Sequence, residues 1–160
     1  MDAENTRFNN DIFDYIISWS VIHHSGNMNK IIDEIYRVLN PNGKAFIMVY
    51  NKNSLRYRFY CLFWLGIIRG QLLKKNIDQI AGSITDGYIA RHLTEKDVSI
   101  LFNKFRNIEI TYSDEINTIS MYLLGPFNRL LNFLPKILKI KFEKYLSKKF
   151  GWYMQIIITK

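Results

Sequence analysis

Residues 13–50 read FDYIISWSVIHHSGNMNKIIDEIYRVLNPNGKAFIMVY, and this stretch decides the fold. Phe13-Asp14-Tyr15-Ile16-Ile17-Ser18 is a short, mostly apolar run, the composition of a strand buried on both faces of a parallel sheet. Met28, Ile31, Ile32, Ile35, Val38 and Leu39 then recur at i, i+3, i+4, i+7, i+10 and i+11, one continuous apolar helix face. Asn27 suits the N-cap of that helix, and Asn40-Pro41-Asn42-Gly43 breaks it with turn residues. Ala45–Tyr50 is a second apolar strand. Strand, helix and strand of this kind predict a right-handed βαβ crossover, hence an α/β fold with a parallel sheet and helices on both faces.

Downstream the pattern continues less clearly. Leu55 to Lys75 reads as a strongly apolar helix flanked by Arg56, Arg58, Arg69, Lys74 and Lys75. Thr94-Glu95-Lys96-Asp97 resembles a capping box with Asp in the third position, and Val98, Leu101, Phe102 and Phe105 form the buried stripe behind it. Ile108-Glu109-Ile110-Thr111-Tyr112 alternates as a half-exposed strand does. Met121 to Phe150 predicts two helices split near Pro135, the second with Leu138, Phe142, Tyr145 and Leu146 on one face. Tyr153 to Thr159 is a closing strand, so the expectation is one domain with four strands.

Composition narrows the function. With 48% hydrophobic and 15% aromatic residues, the 160-residue chain can bury a core and is not a disordered segment. A single cysteine, Cys61, excludes a disulfide framework and a cysteine-based zinc site, and no metal site is expected; the thiol reads as a small buried hydrophobe. The net charge of +8 permits anionic partners, but no recognised nucleic-acid motif accompanies it, so nucleic acid is disfavoured. The polar, acidic start is no secretory signal, and Phe59–Ile68 is too short to span a bilayer. A cytoplasmic protein, peripherally membrane-bound at most, is the expectation.

In an open parallel sheet, ligands gather at the carboxyl ends of the strands. The first strand runs out into Ser18-Trp19-Ser20-Val21-Ile22-His23-His24 and the second into Tyr50-Asn51-Lys52-Asn53, so both loops lie on one rim. Histidine titrates near neutrality, and an imidazole on such a rim can accept a proton from a nucleophile. Adjacent side chains on a helix diverge, so one of His23 and His24 at most faces a pocket; the other reading is that one caps or packs the helix start.

Four pieces also occur in order and in register: Asp2-Ala3-Glu4, Phe13-Asp14, Ser18 to His24, and Glu34-Ile35-Tyr36-Arg37-Val38-Leu39-Asn40-Pro41-Asn42-Gly43. Together they resemble the second half of class I S-adenosylmethionine-dependent methyltransferases, in particular the type 11-like group acting on small metabolites, quinones, sterols or sugars. A looser likeness extends to Asp86-Gly87, to Leu93–Phe105 and to Gly151-Trp152. The resemblance implies a Rossmann-like sheet of seven strands, the last antiparallel, of which this chain would supply the final four. It implies S-adenosyl-L-methionine as cofactor, with Asp2, Ala3 and Glu4 at the adenine and Ser18 and Trp19 beneath the methionine portion. Beside those roles stand plainer ones: a solvated N-terminal acid for Asp2 and simple packing for Trp19. Arg37 reads as a structural ion-pair partner. Where the family carries Gly-Gly after the proline, this chain has Asn42-Gly43; asparagine tolerates left-handed geometry, so the turn should survive.

The family's Gly-x-Gly loop and ribose-binding acid have no counterpart in these residues. Residues 1–160 are therefore read as a single partial methyltransferase domain lacking the cofactor loop, with 54–93 as a lid or substrate insertion. Three readings follow. The chain methylates a small-molecule or lipid-linked substrate once a missing N-terminal half is supplied; it is an inactive truncated methyltransferase; or it is a basic amphipathic module that binds a membrane or partner. In each, Phe13–Ser18 should be an unpaired apolar edge, open to a missing half or to a homo-oligomer. Phe59–Ile68 and the lysines at 136, 139, 141, 144, 148 and 149 are the basis of the membrane reading.

Overall fold

The computed structural model describes residues 2–85, 90–114 and 135–160. Strand β1 (Phe13–Trp19), helix α1 (Met28–Val38) and strand β2 (Leu39–Asn51) form the expected crossover. β1 and β2 pair in parallel, with Ile16 opposite Ala45 and Trp19 opposite Met48. The Asn27 side chain caps α1 by accepting the Lys30 N–H at 3.3 Å, and Ile31, Ile32, Ile35 and Val38 are buried. β2 is longer than Ala45–Tyr50 because the sheet absorbs the Asn40–Gly43 turn as an irregularity: pairing jumps from Phe13 opposite Leu39 to Tyr15 opposite Lys44. Asn42 takes the left-handed conformation expected of it, at φ 67°. Gly43 is there for space, since a Cβ would lie 2.8 Å from the Asn40 carbonyl oxygen and 3.1 Å from that of Phe13.

After β2 comes helix α2 (Arg56–Ile68), which stops short of the Leu55 to Lys75 span the sequence predicts; its winding is of the π type, and the Arg69 N–H donates to the Trp64 carbonyl five residues back. Tyr57, Cys61 and Gly66 are its buried positions, a wider spacing than an α-helix gives. Gly70, at φ 67°, ends it, a short 3-10 turn (Gln71–Leu73) follows, and α3 (Ile77–Ser83) begins at a capping box made by Asn76 and Gln79. The Tyr57 hydroxyl donates to Asp78 at 2.8 Å, which fastens α3 to α2.

The chain re-enters the sheet through β3 (His92–Leu93), then α4 (Glu95–Leu101) with the Thr94–Asp97 capping box, and β4 (Asn107–Ser113). Val98, Phe102 and Phe105 are buried as their spacing predicts. Helix α5 (Lys136–Phe150) leads into β5 (Tyr153–Thr159). The order is β1-β2-β5-β4, with β3 on β2, so there are five strands among the described residues where the sequence predicts four; β3 is too short to show an alternation. β5 runs against β2, since Asn42 and Gly43 meet Lys160 while Asn51 meets Trp152. Met154, Ile156 and Ile158 bury one face of it completely. The sheet is mixed, with β1 and β2 parallel and β5 antiparallel to β2.

Among the described residues β1 has one neighbour, β2, and its apolar side chains face outward: Ile17 is 68% exposed, and Tyr15 and Trp19 are also open. The predicted free edge is present. Two compact units divide the chain, one of Met1–Tyr50, Arg91–Thr111 and Met154–Lys160, the other of Asn51–Ala90 and Tyr112–Tyr153. No described helix is long and apolar enough to cross a membrane. Asp86-Gly87 and the first of the two helices expected between Met121 and Phe150 lie outside the described residues.

Candidate functional site

The rim begins where β1 stops. Ser20 adopts a left-handed φ of 58°, uncommon for a residue with a side chain, and turns the chain into a 3-10 turn at Ile22–His24. That turn is held from two sides. Arg91 donates its N–H to the His23 carbonyl at 3.1 Å, and its guanidinium spans the carbonyls of Ser25 at 2.6 Å and Gly26 at 3.1 Å. Glu4 accepts from the Ser25 hydroxyl at 2.6 Å and the Asn27 N–H at 3.0 Å, and the Ser25 bond above all holds its carboxyl below the usual range.

Four rings meet here. His23 is fully buried, with its ring centroid 4.3 Å from those of His24 and Tyr50 and its Nε2 3.5 Å from the Ser20 hydroxyl. Tyr50 stacks on His92 at 5.6 Å. His24 is half-buried and is the more accessible of the expected pair. Among the described residues no group of three His, Cys, Asp or Glu side chains is placed to hold a metal. Arg91 and His92 are absent from the sequence reading, and nothing local marks them: they lie more than sixty residues from the turn they support.

Along the free edge of β1 and the flank of α1 runs a cavity of about 430 Å³, with Ala3, Phe8, Ile17, Ser18, Val21 and Ile35 among its walls. Ser18 is nearly buried, and it and Ala3 are the expected cofactor residues that line this space. Trp19 is instead stacked on Phe46 at 5.9 Å, half exposed; Asp2 accepts the Glu4 N–H at 2.9 Å; and Glu4 is committed to Ser25 and Asn27. Glu34, also on the cavity wall, receives Arg37 Nε at 2.9 Å, a second guanidinium nitrogen at 2.7 Å, the Thr6 N–H at 2.8 Å and the Thr6 hydroxyl. Those partners, Arg37 first, pull its carboxyl down to about 2. Arg37 is thus the structural ion-pair partner its position predicts. Apolar walls suit the ring end of a nucleoside; the one carboxylate on the wall, engaged by Arg37 and Thr6, does not supply a ribose ligand.

Comparison with known proteins agrees with this architecture. Residues 1–47 match a family model described as a methyltransferase domain. The mitochondrial ubiquinone biosynthesis O-methyltransferase of Rattus norvegicus is 27% identical over 152 residues, covering 90% of this chain and 39% of the rat protein. The chain therefore spans about two fifths of that relative's length. Among solved structures, a SAM-dependent methyltransferase from Archaeoglobus fulgidus superposes with a TM-score of 0.58 at 12% identity, covering 100% of this chain and 66% of that one. One from Thermotoga maritima gives 0.55 at 16%, covering 99% and 61%. With the βαβ crossover, the antiparallel β5 and the four motif pieces in register, these matches give the chain the fold of part of a class I S-adenosylmethionine-dependent methyltransferase domain, with the family model itself reaching residue 47.

Proposed function

We propose that the chain takes part in S-adenosylmethionine-dependent methyl transfer to a small or lipid-like acceptor, and that it does so with a Gly-rich half seated along β1. The observation that carries this is the apolar cavity on the free edge of β1, open where a further strand would lie and walled by the motif residues Ala3 and Ser18. The cofactor, when bound, supplies an electrophilic methyl group. Ala3 would contact its adenine end, and Ser18 and Trp19, at the end of β1, would lie beneath its methionine portion. Asp2 and Glu4 act on the site by holding the N-terminal segment against the His turn. His24 would accept the acceptor's proton; His23, buried between His24 and Tyr50, fixes the ring that does so. The rat relative's name, a ubiquinone biosynthesis O-methyltransferase, favours a hydroxyl on a lipid-linked ring.

Calorimetric titration with S-adenosylhomocysteine tests the reading, on the chain alone and after mixing with a glycine-rich methyltransferase half. Saturable binding in either supports it, and binding only after mixing locates the deficit at β1. No binding in both, by chains folded by circular dichroism, overturns it.

A further inference from the structure

The charge of this chain is segregated. The unit built from Met1–Tyr50, Arg91–Thr111 and Met154–Lys160 carries nine Lys and Arg against nine Asp and Glu. The other unit carries thirteen against five, so the whole surplus of +8 belongs to it. No acidic residue stands between Glu34 and Asp78. Large apolar side chains are exposed in both units, at β1 in the neutral one and, in the basic one, beside the clustered lysines and arginines. Beyond α2, whose Phe63, Ile67 and Ile68 are exposed, Gly70 reverses the chain and the 3-10 turn projects Leu73, 90% exposed, immediately before Lys74 and Lys75. Helix α5 buries none of its residues: Ile137, Leu138 and Tyr145 are open beside six lysines and a single glutamate.

We propose that this unit docks on an anionic phospholipid bilayer, with Leu73 and its apolar neighbours entering the interface and the flanking basic residues meeting the headgroups. Charge complementarity alone would serve a nucleic acid equally well. The exposed leucines and isoleucines decide between them, because a phosphate backbone has no use for apolar tips, whereas the headgroup–acyl boundary accepts them and lets lysine stems lie along the surface. Anionic lipid attracts each Lys or Arg near the surface, and salt screens that attraction. The proposal does not rest on the methyl-transfer reading: vesicle binding needs neither cofactor nor acceptor, and either can fail without the other.

The test is flotation of the whole chain with neutral phosphatidylcholine vesicles and with vesicles containing roughly a third phosphatidylglycerol, at low and high salt. The expected result is at least about a tenfold preference for the anionic vesicles, most of it lost at high salt. Leu73→Ser should lower partitioning about tenfold, and Lys74→Glu with Lys75→Glu by at least as much. These side chains are exposed, so circular dichroism should be unchanged, and a K141E/K144E/K148E variant of α5 gives an independent charge reversal. Equal or absent binding to both vesicle types overturns the proposal, as does unaltered binding by all three variants. So does tight, salt-sensitive binding of an RNA oligonucleotide in the absence of vesicle binding, which would make the basic surface a nucleic-acid face.

Discussion

Glu34→Gln isolates the ion pair that ties the N-terminal segment to α1. Glu34 accepts from both donors of the Arg37 fork and from Thr6 through its N–H and hydroxyl, and the Arg37 fork also reaches Asn10 at 2.6 Å. A carboxyl moved from 4.5 to about 2 is worth at most about 3.5 kcal/mol. Arg37 is a third exposed, so solvent screens part of this, and about 1–2 kcal/mol is the expected loss at neutral pH. Glutamine keeps the shape but puts an amide donor in front of a guanidinium donor. The sign with pH follows from the depressed value: the stabilisation is complete above the unfolded carboxyl's 4.5 and disappears as pH falls towards 2. Urea midpoints of the two proteins should therefore differ at pH 7 and converge near pH 2. Glu4 titrates in a similar direction but is common to both, so it cancels in the difference. Arg7, exposed and next to Thr6, offers a local readout: trypsin should cut there roughly five- to thirtyfold faster in the variant if the tie opens on its own. Identical midpoints across the whole range, together with unchanged cleavage at Arg7, would refute the reasoning.

Other consequences can be measured on the same protein. Burial and then the bond to Asp78 hold the Tyr57 phenol well above its ordinary range, so Tyr57→Phe should remove no tyrosinate absorbance below about pH 11 while lowering stability by about 0.5–1.5 kcal/mol. A tyrosinate signal lost below that pH would contradict this. Burial pushes the Cys61 thiol up to about 12, so an aromatic disulfide reagent should label it in urea and not in the native protein at mildly alkaline pH; rapid native labelling would show the thiol to be reachable. Gly151→Ala would drive a methyl into the backbone carbonyls of Ser113 and Ser147, for a loss of about 2–3 kcal/mol. Gly26→Ala, whose nearest neighbour is Glu4 at 3.7 Å, should stay within about 0.5 kcal/mol, and comparable losses in the two would remove the steric explanation.

What could be read from residues alone was whatever a local period encodes. The Met28–Leu39 stripe specifies α1, the apolar runs on either side specify β1 and β2, and together they require a parallel pair; the free outer edge of β1 is an expectation of the family resemblance. Thr94 and Asp97 announce α4, and Asn42 tolerates the left-handed turn. What stayed hidden depends on partners distant in sequence or on energetics without a period. β3 has two residues and is defined only by its pairing with β2. The π winding of α2 leaves its apolar composition unchanged and alters only which side chains are buried. In the site, the His23–His24 dipeptide is visible as chemistry, but its enclosure by Tyr50, Arg91 and His92 is a tertiary fact. Likewise, the bonds that Glu4 accepts from Ser25 and Asn27, more than twenty residues away, have no local period to announce them.

The position of β5 in the sheet has a consequence for assembly in time. Among these 160 residues it is the last strand to be synthesised, yet it lies between β2 and β4. Until it arrives, β4 lacks a described partner on that side and β2 has only β1 and β3 to pair with. The bond from the Asn51 side chain to the Gly151 carbonyl closes a loop of a hundred residues. Joining ends so far apart sacrifices chain entropy before any contact is gained, and such pairings are slow. Folding of the sheet is therefore held back until synthesis has delivered β5. The crossover formed by β1, α1 and β2 waits through that interval with two open edges, the period in which a chaperone or a partner strand would matter most.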